Sequence, residues 1–151
     1  MSESTHRDEI RAEYALLQGQ YESFDARALT IKSLATPLLA GGIGVGLKES
    51  SASLIAATAF AAACLWLLEA IWKSFQYCFA DRIKLIEGWF RGEHVGELAP
   101  FQIFTAWNSV WHKQYSKPAS LLPILRQPFV YLPYLPIVLV ASAAIALMRL
   151  L

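Results

Sequence analysis

Charge is scarce in this sequence: only 17% of its 151 residues are Asp, Glu, Lys or Arg, against about 25% in an ordinary soluble domain. The charges also cancel, 13 Lys and Arg against 12 Asp and Glu for a net charge of +1. The chain therefore lacks the broad positive field that wholesale nucleic-acid binding needs, and no nucleic-acid partner is expected. Two cysteines, Cys64 and Cys78, are too few for a disulfide framework. They share one apolar stretch far from any histidine-rich cluster and are expected to be buried thiols. Motifs for catalysis are missing too: there is no G-x-x-x-x-G-K-[ST], no G-x-G-x-x-G, no H-E-x-x-H and no G-x-S-x-G. No catalytic, cofactor-binding or metal-binding residue is nominated, and the chain is expected not to be an enzyme. The nearest catalytic-looking group, Arg91, Glu93, His94 and Glu97, sits in a glycine-broken loop and reads as a solvated turn. The first 28 residues are strongly charged and the apolar run behind them has no cleavage context, so no signal peptide is expected.

What the sequence has in abundance is apolar surface, with 56% hydrophobic residues and a mean hydropathy of +0.39. Residues 33–47 carry no charge, and adding residues 29–32 brings the run to the roughly 20 residues a spanning helix requires. Residues 52–68 form a second uncharged run, closed by Glu69, Trp72 and Lys73. Only residues 48–51 separate the two, so the spans, at about 29–47 and 52–69, must form an antiparallel hairpin. A third uncharged run covers residues 128–148, with prolines in its first half that favour a kinked or late-starting helix. It is expected to be a third span, with a re-entrant or surface segment as the alternative. Lys and Arg number four up to the start of span one, one in the first loop, seven between spans two and three, and one after span three. The positive-inside rule then places the N-terminus and residues 73–127 in the cytoplasm.

Heptad spacing continues both membrane helices into the cytoplasm. Ile10, Tyr14, Leu17, Tyr21, Phe24, Ala28, Ile31 and Ala35 alternate in steps of four and three, and Leu68, Trp72, Phe75, Phe79, Ile83, Ile86 and Phe90 do the same. At about 1.5 Å per residue, residue n of the first arm lies level with one near 99 minus n of the second. Phe24 should meet Phe75, Tyr21 Phe79 and Tyr14 Ile86, with Gly88 and Gly92 ending the second arm. The same count brings Lys32 within a turn of Glu69. A charge at the bilayer edge is costly alone, so the two are expected to pair; separate snorkelling to the headgroups is the alternative. Asp25 and Lys73 are similarly level, with Gln76 one turn on. Gly42 and Gly46 make a GxxxG beside Gly44, and Ala52 and Ala56 offer small residues opposite. Such faces let backbones approach closely in lipid, serving either the hairpin alone or a homo-oligomer.

Between spans two and three, residues 100–115 read as an amphipathic helix with Pro100 in its first turn. Phe101, Phe104, Trp107, Trp111 and Tyr115 fall on one side. With His112, Lys113 and Lys117 near its end, this aromatic face suits the headgroup layer; docking on the cytoplasmic hairpin is the competing placement.

The fold expected is all-α: a transmembrane hairpin extended into a cytoplasmic helical pair over 1–92, an interfacial segment with an aromatic helix over 93–127, and a third transmembrane helix over 128–151. The strings at residues 28–32 (ALTIK), 68–76 (LEAIWKSFQ) and 82–87 (RIKLIE) resemble those of small bacterial membrane proteins of the SLATT group, over roughly residues 10–90. The resemblance implies an inner-membrane effector that assembles and disrupts the membrane when a partner senses infection. It also implies that Lys32, Glu69, Lys73 and Gln76 are structural polar residues at the inner interface. A third span and the lack of an attached sensor domain set this chain apart, so a separate cytoplasmic sensor is expected to supply the trigger. A non-conducting anchor that docks a soluble partner is the second expectation, and a lipid-modifying enzyme using the 91–97 loop a third.

Overall fold

A computed structural model describes residues 3–94 and 96–150, and every regular element among them is helical. Two helices dominate: α1 (Glu3–Lys48) and α2 (Ala52–Phe90). Both are long and apolar enough to cross a membrane, and only 11% and 22% of their apolar windows is buried. A helix that serves as the core of a soluble protein is hydrophobic because it is covered; these two are hydrophobic while uncovered. α1 continues through Pro37, although the ring removes one donor from its ladder.

Local chemistry fixes both helix ends. Past Lys48 the chain closes a Schellman turn: Ser50 N–H donates to Leu47 O at 3.2 Å and Ser51 N–H to Gly46 O at 2.8 Å, with Ser50 left-handed at φ 51°. The Ser51 hydroxyl then accepts from Leu54 N–H at 3.4 Å, capping α2. α2 ends the same way, with Gly92 donating to Trp89 O, Glu93 donating to Gly88 O at 2.9 Å, and Gly92 at φ 76°. Gly92 is therefore the residue that turns the chain. Gly88 stays within α2, and a Cβ there would stand within 3.3 Å of the His94 and Glu93 side chains.

The chain divides into two compact units. The first comprises residues 1–26 and 72–121. Its core is Ile10, Leu17, Ile83 and Ile86, with Tyr14, Tyr21, Phe79, Trp89, Leu98 and Ile103 packed around them. Phe24 packs on Trp72 and Phe79, with ring centroids 4.9 and 6.0 Å away. Its expected partner Phe75 instead faces Trp107 and Trp111, at 5.9 and 5.0 Å.

The second unit comprises residues 27–71 and 122–151. Leu39, Ala62 and Tyr134 form one cluster, and Ile43, Ile55 and Ala141 another. The apolar seam of α1 does not carry through Ile31, which is 42% exposed. Cys64 is exposed and only Cys78 buried, which corrects the expectation that both thiols are covered.

Proline breaks the chain after α2 into short pieces. α3 (Ile103–Val110) runs into a π turn (Trp111–Tyr115), followed by a 3-10 turn (Pro118–Ser120), α4 (Leu121–Leu125), α5 (Pro128–Tyr131) and α6 (Tyr134–Leu150). Lys117, Gln127 and Leu132 each precede a proline and each is extended, with ψ of 136°, 135° and 134°. Proline disfavours helical ψ in the residue before it, so each step ends or delays a helix. The expected third spanning helix over 128–151 is consequently cut at Leu132, and α6 keeps 17 residues, the lower edge of what crosses a bilayer.

Candidate functional site

Polar side chains line the facing sides of α1 and α2 in both units. In the second unit Lys32 Nζ lies 2.7 Å from Glu69 Oε1, and their side chains are only 16% and 9% exposed. Lys32 Nζ also donates to the Phe129 carbonyl of α5 and stands 6.0 Å from the Tyr134 ring centre. One ammonium thus joins α1, α2 and the start of the C-terminal segment. Trp66 fastens the same segment elsewhere, its Nε1–H donating to Leu125 O at 3.1 Å. The indole donor finds its partner in a carbonyl left free at the end of α4.

Glycines set how closely α1 approaches α2 in this unit. A Cβ on Gly42 would stand 2.6 Å from Thr58 Oγ1, and one on Gly46 would stand 2.5 Å from Ile55 Cγ1. Both therefore serve the hairpin itself. Gly44 has nothing within 4 Å of its Cβ position, and Ala52 and Ala56 are exposed, so these three occupy the outer surface.

In the first unit Lys73 Nζ donates to Asp25 Oδ1 at 2.6 Å. Gln76 Nε2 donates to Asp25 Oδ2 at 3.0 Å and to Tyr21 O at 2.8 Å. Lys73 and Gln76 are buried while the Asp25 side chain is half exposed, so water screens part of this cluster's charge. Further along, Tyr14 Oη donates to Glu87 Oε1 at 3.0 Å, which with burial pushes the phenol pKa up.

One buried ion pair is a contact that spacing alone did not nominate. Arg82 grips Glu13 through two hydrogen bonds, Nε to Oε1 at 2.8 Å and Nη2 to Oε2 at 2.9 Å, both side chains buried. Arg82 Nη2 also donates to Ala99 O at 2.7 Å, and Phe101 N–H donates to Glu13 Oε2 at 2.8 Å. A buried ion pair survives its desolvation only when its remaining lone pairs and protons are satisfied, and the 99–101 backbone does this here. The signal was present in the sequence: Glu13 stands three residues after Ile10 and four before Leu17, in the seam itself.

That backbone contact also moves the aromatic helix. Phe101 adopts a left-handed φ of 57°, so the helix expected from residue 100 starts at Ile103 instead. Trp107 and Trp111 stack with ring planes 7° apart, and Trp107 Nε1–H donates to Phe75 O at 3.1 Å. Tyr115 is half-buried near Cys78 and Asp81, and burial pushes its pKa up. Of the five aromatics expected at a headgroup surface, Trp107, Trp111 and Tyr115 are turned toward α2, while Phe101 and Phe104 remain 51% and 74% exposed. Phe75 holds the two tryptophans, offering its ring to both and its carbonyl to Trp107.

The described residues of the 91–97 loop are exposed. Arg91 donates to Glu93 at 2.6 and 2.9 Å and holds its carboxyl below the usual range. Cys78 is buried, and that burial pushes its thiol up to about 11. It is poorly suited to act as a nucleophile near neutral pH. These ion pairs and hydrogen bonds join α1 to α2 within each unit. Compared with protein-family models, curated proteins and solved structures, the chain matches none.

Proposed function

We propose that this chain is a multi-pass protein of the bacterial inner membrane that assembles into oligomers and perturbs or conducts across the bilayer, with a separate cytoplasmic sensor as its trigger. The observation that carries the membrane part is the uncovered surface of the second unit. There Leu29, Leu34, Leu38, Phe60, Leu139 and Val140 are 55–75% exposed, while Lys32 and Glu69 neutralise each other. In water such a surface would aggregate; in lipid it is the solvated face. Lys and Arg concentrate before span one and between spans two and three, which favours a cytoplasmic N-terminus. Assembly is supported by Gly41 and Gly44, whose Cβ positions are open, with Ala52 and Ala56 exposed as well. Small residues free of intrachain duties are what a second copy needs for close approach. The antiphage role rests on the resemblance to the SLATT group alone.

Exposed Phe101 and Phe104, 51% and 74% accessible, favour a second reading, a membrane anchor that docks a soluble partner on its first unit. Native mass spectrometry in nanodiscs, paired with a membrane-potential dye in expressing cells, separates the two. Assemblies of four or more copies with loss of potential are expected for the effector. A monomer that leaves the potential intact, with or without its trigger, would overturn the effector reading.

A further inference from the structure

A groove of about 370 Å³ in the second unit is lined by Ala63, Trp66 and Leu67 of α2, Leu122 and Leu125 of α4, and Arg126. Its walls are hydrocarbon and its one formal charge is Arg126. Among the described residues Arg126 makes no ion pair or hydrogen bond and is exposed. The floor is fixed, because Trp66 Nε1–H holds the Leu125 carbonyl at 3.1 Å. One wall of the groove is thus tied to another by a hydrogen bond within the chain.

A second groove, at Leu29, Lys32 and Phe129, makes an instructive contrast. Its cation already has Glu69 and the Phe129 carbonyl, so it has no unmet demand for an anion. Arg126 has that demand. A guanidinium at the edge of hydrocarbon is costly unless an anion meets it, and its planar fork matches two phosphate oxygens better than any other common anion except a carboxylate. Beside it Leu67 and Leu122 are 46% and 53% exposed, a surface complementary to an alkyl chain. An apolar channel next to one unpaired guanidinium is the shape of a lipid: phosphate at the charge, tail along the leucines.

We propose that this groove binds one anionic glycerophospholipid of the surrounding bilayer, its phosphate on Arg126 and an acyl chain along Ala63, Leu67, Leu122 and Leu125. The inference rests on the membrane reading above. A zwitterionic lipid brings its own ammonium to the phosphate and gains less from Arg126, so the site discriminates by headgroup charge.

The test is native mass spectrometry of the full chain from mixed micelles of phosphatidylglycerol and phosphatidylcholine, after an alkaline carbonate wash of the source membranes. The wild-type chain is expected to stay in the washed membrane and to retain one phosphatidylglycerol per copy in preference to phosphatidylcholine. Arg126→Gln should cut that preference about tenfold, equivalent to about 1.4 kcal/mol, with helix content and melting temperature unchanged. Leu122→Trp, which fills the channel, should reduce retention of both lipids. If the chain stays in the membrane but Arg126→Gln keeps its preference, the lipid site is wrong and the membrane reading stands. If carbonate strips the wild-type chain, both fall. A groove protected only in dimers, without bound lipid, would assign it to a second copy and overturn the proposal.

Discussion

Glu13 and Arg82 share two hydrogen bonds, 2.8 and 2.9 Å long, across 69 positions of sequence. The pair is buried and also holds the backbone at Ala99 and Phe101. Removing one member leaves the other charged and uncompensated, which costs about 3–5 kcal/mol. Arg82→Met alone should therefore lower the melting temperature sharply. Glu13→Leu with Arg82→Met should recover part of the loss, still short of wild type, because Ala99 O and Phe101 N–H lose their partners. Melts followed by circular dichroism decide this, and a double variant no more stable than the worse single one would contradict it.

Lys32 and Glu69 call for a charge swap. Lys32→Glu and Glu69→Lys should each reduce folded yield in detergent, and the double variant should restore most of it. Restoration should be incomplete, since a glutamate at position 32 cannot donate to the Phe129 carbonyl that Lys32 reaches. Full absence of recovery, read by size-exclusion chromatography, would mean that the two charges act separately.

Gly46 and Gly44 should answer to alanine with opposite signs. At Gly46 the new Cβ meets Ile55, including its backbone nitrogen at 3.3 Å, and overpacking of this kind costs about 1–3 kcal/mol. At Gly44 the space is open, and alanine gains up to about 1 kcal/mol of helix propensity. Thermal melts of the two variants side by side test the assignment of inner and outer faces.

Alkaline pH should weaken the fold through Cys78. Burial raises its thiol from an ordinary value of 9.0 to about 11, so between these values the folded chain holds a proton that the unfolded chain releases. Stability is fully kept below pH 9 and falls as pH rises toward 11. Tyr14, Tyr21 and Tyr115 are also raised, from 10.0, and act later. Cys78→Ala should delay the onset of the loss from about pH 9 to about pH 10 in melting curves taken across this range.

Much of the architecture was legible because periodicity records burial. Ile10, Leu17, Ile83 and Ile86 stand at heptad positions and form the buried core of the first unit. Short connections and uncharged runs likewise announced two long helices. Counting residues along them was enough to bring Lys32 level with Glu69 and Asp25 level with Lys73. Less legible was everything set by contacts between distant segments. Phe75 satisfies the same seam rule as Phe79 yet turns toward Trp107 and Trp111. No helical wheel of residues 100–115 could reveal that Glu13 captures the Phe101 amide and delays that helix to Ile103. Polar residues in an apolar seam, Glu13 above all, were the signal that pattern counting passed over.

Prolines stand at 118, 123, 128 and 133, one in every five residues between the π turn and α6. Their effect reaches beyond the helices they end. Each ring has already removed backbone freedom from the unfolded chain, so this stretch surrenders less entropy on folding than a run of ordinary residues would. Its order is bought partly before any contact forms. A strap of this composition can therefore be thin, lightly buried and still well defined, and replacing Pro118 or Pro128, each in the first turn of its helix, by alanine would loosen the protein by about 0.4–1 kcal/mol chiefly through the unfolded chain.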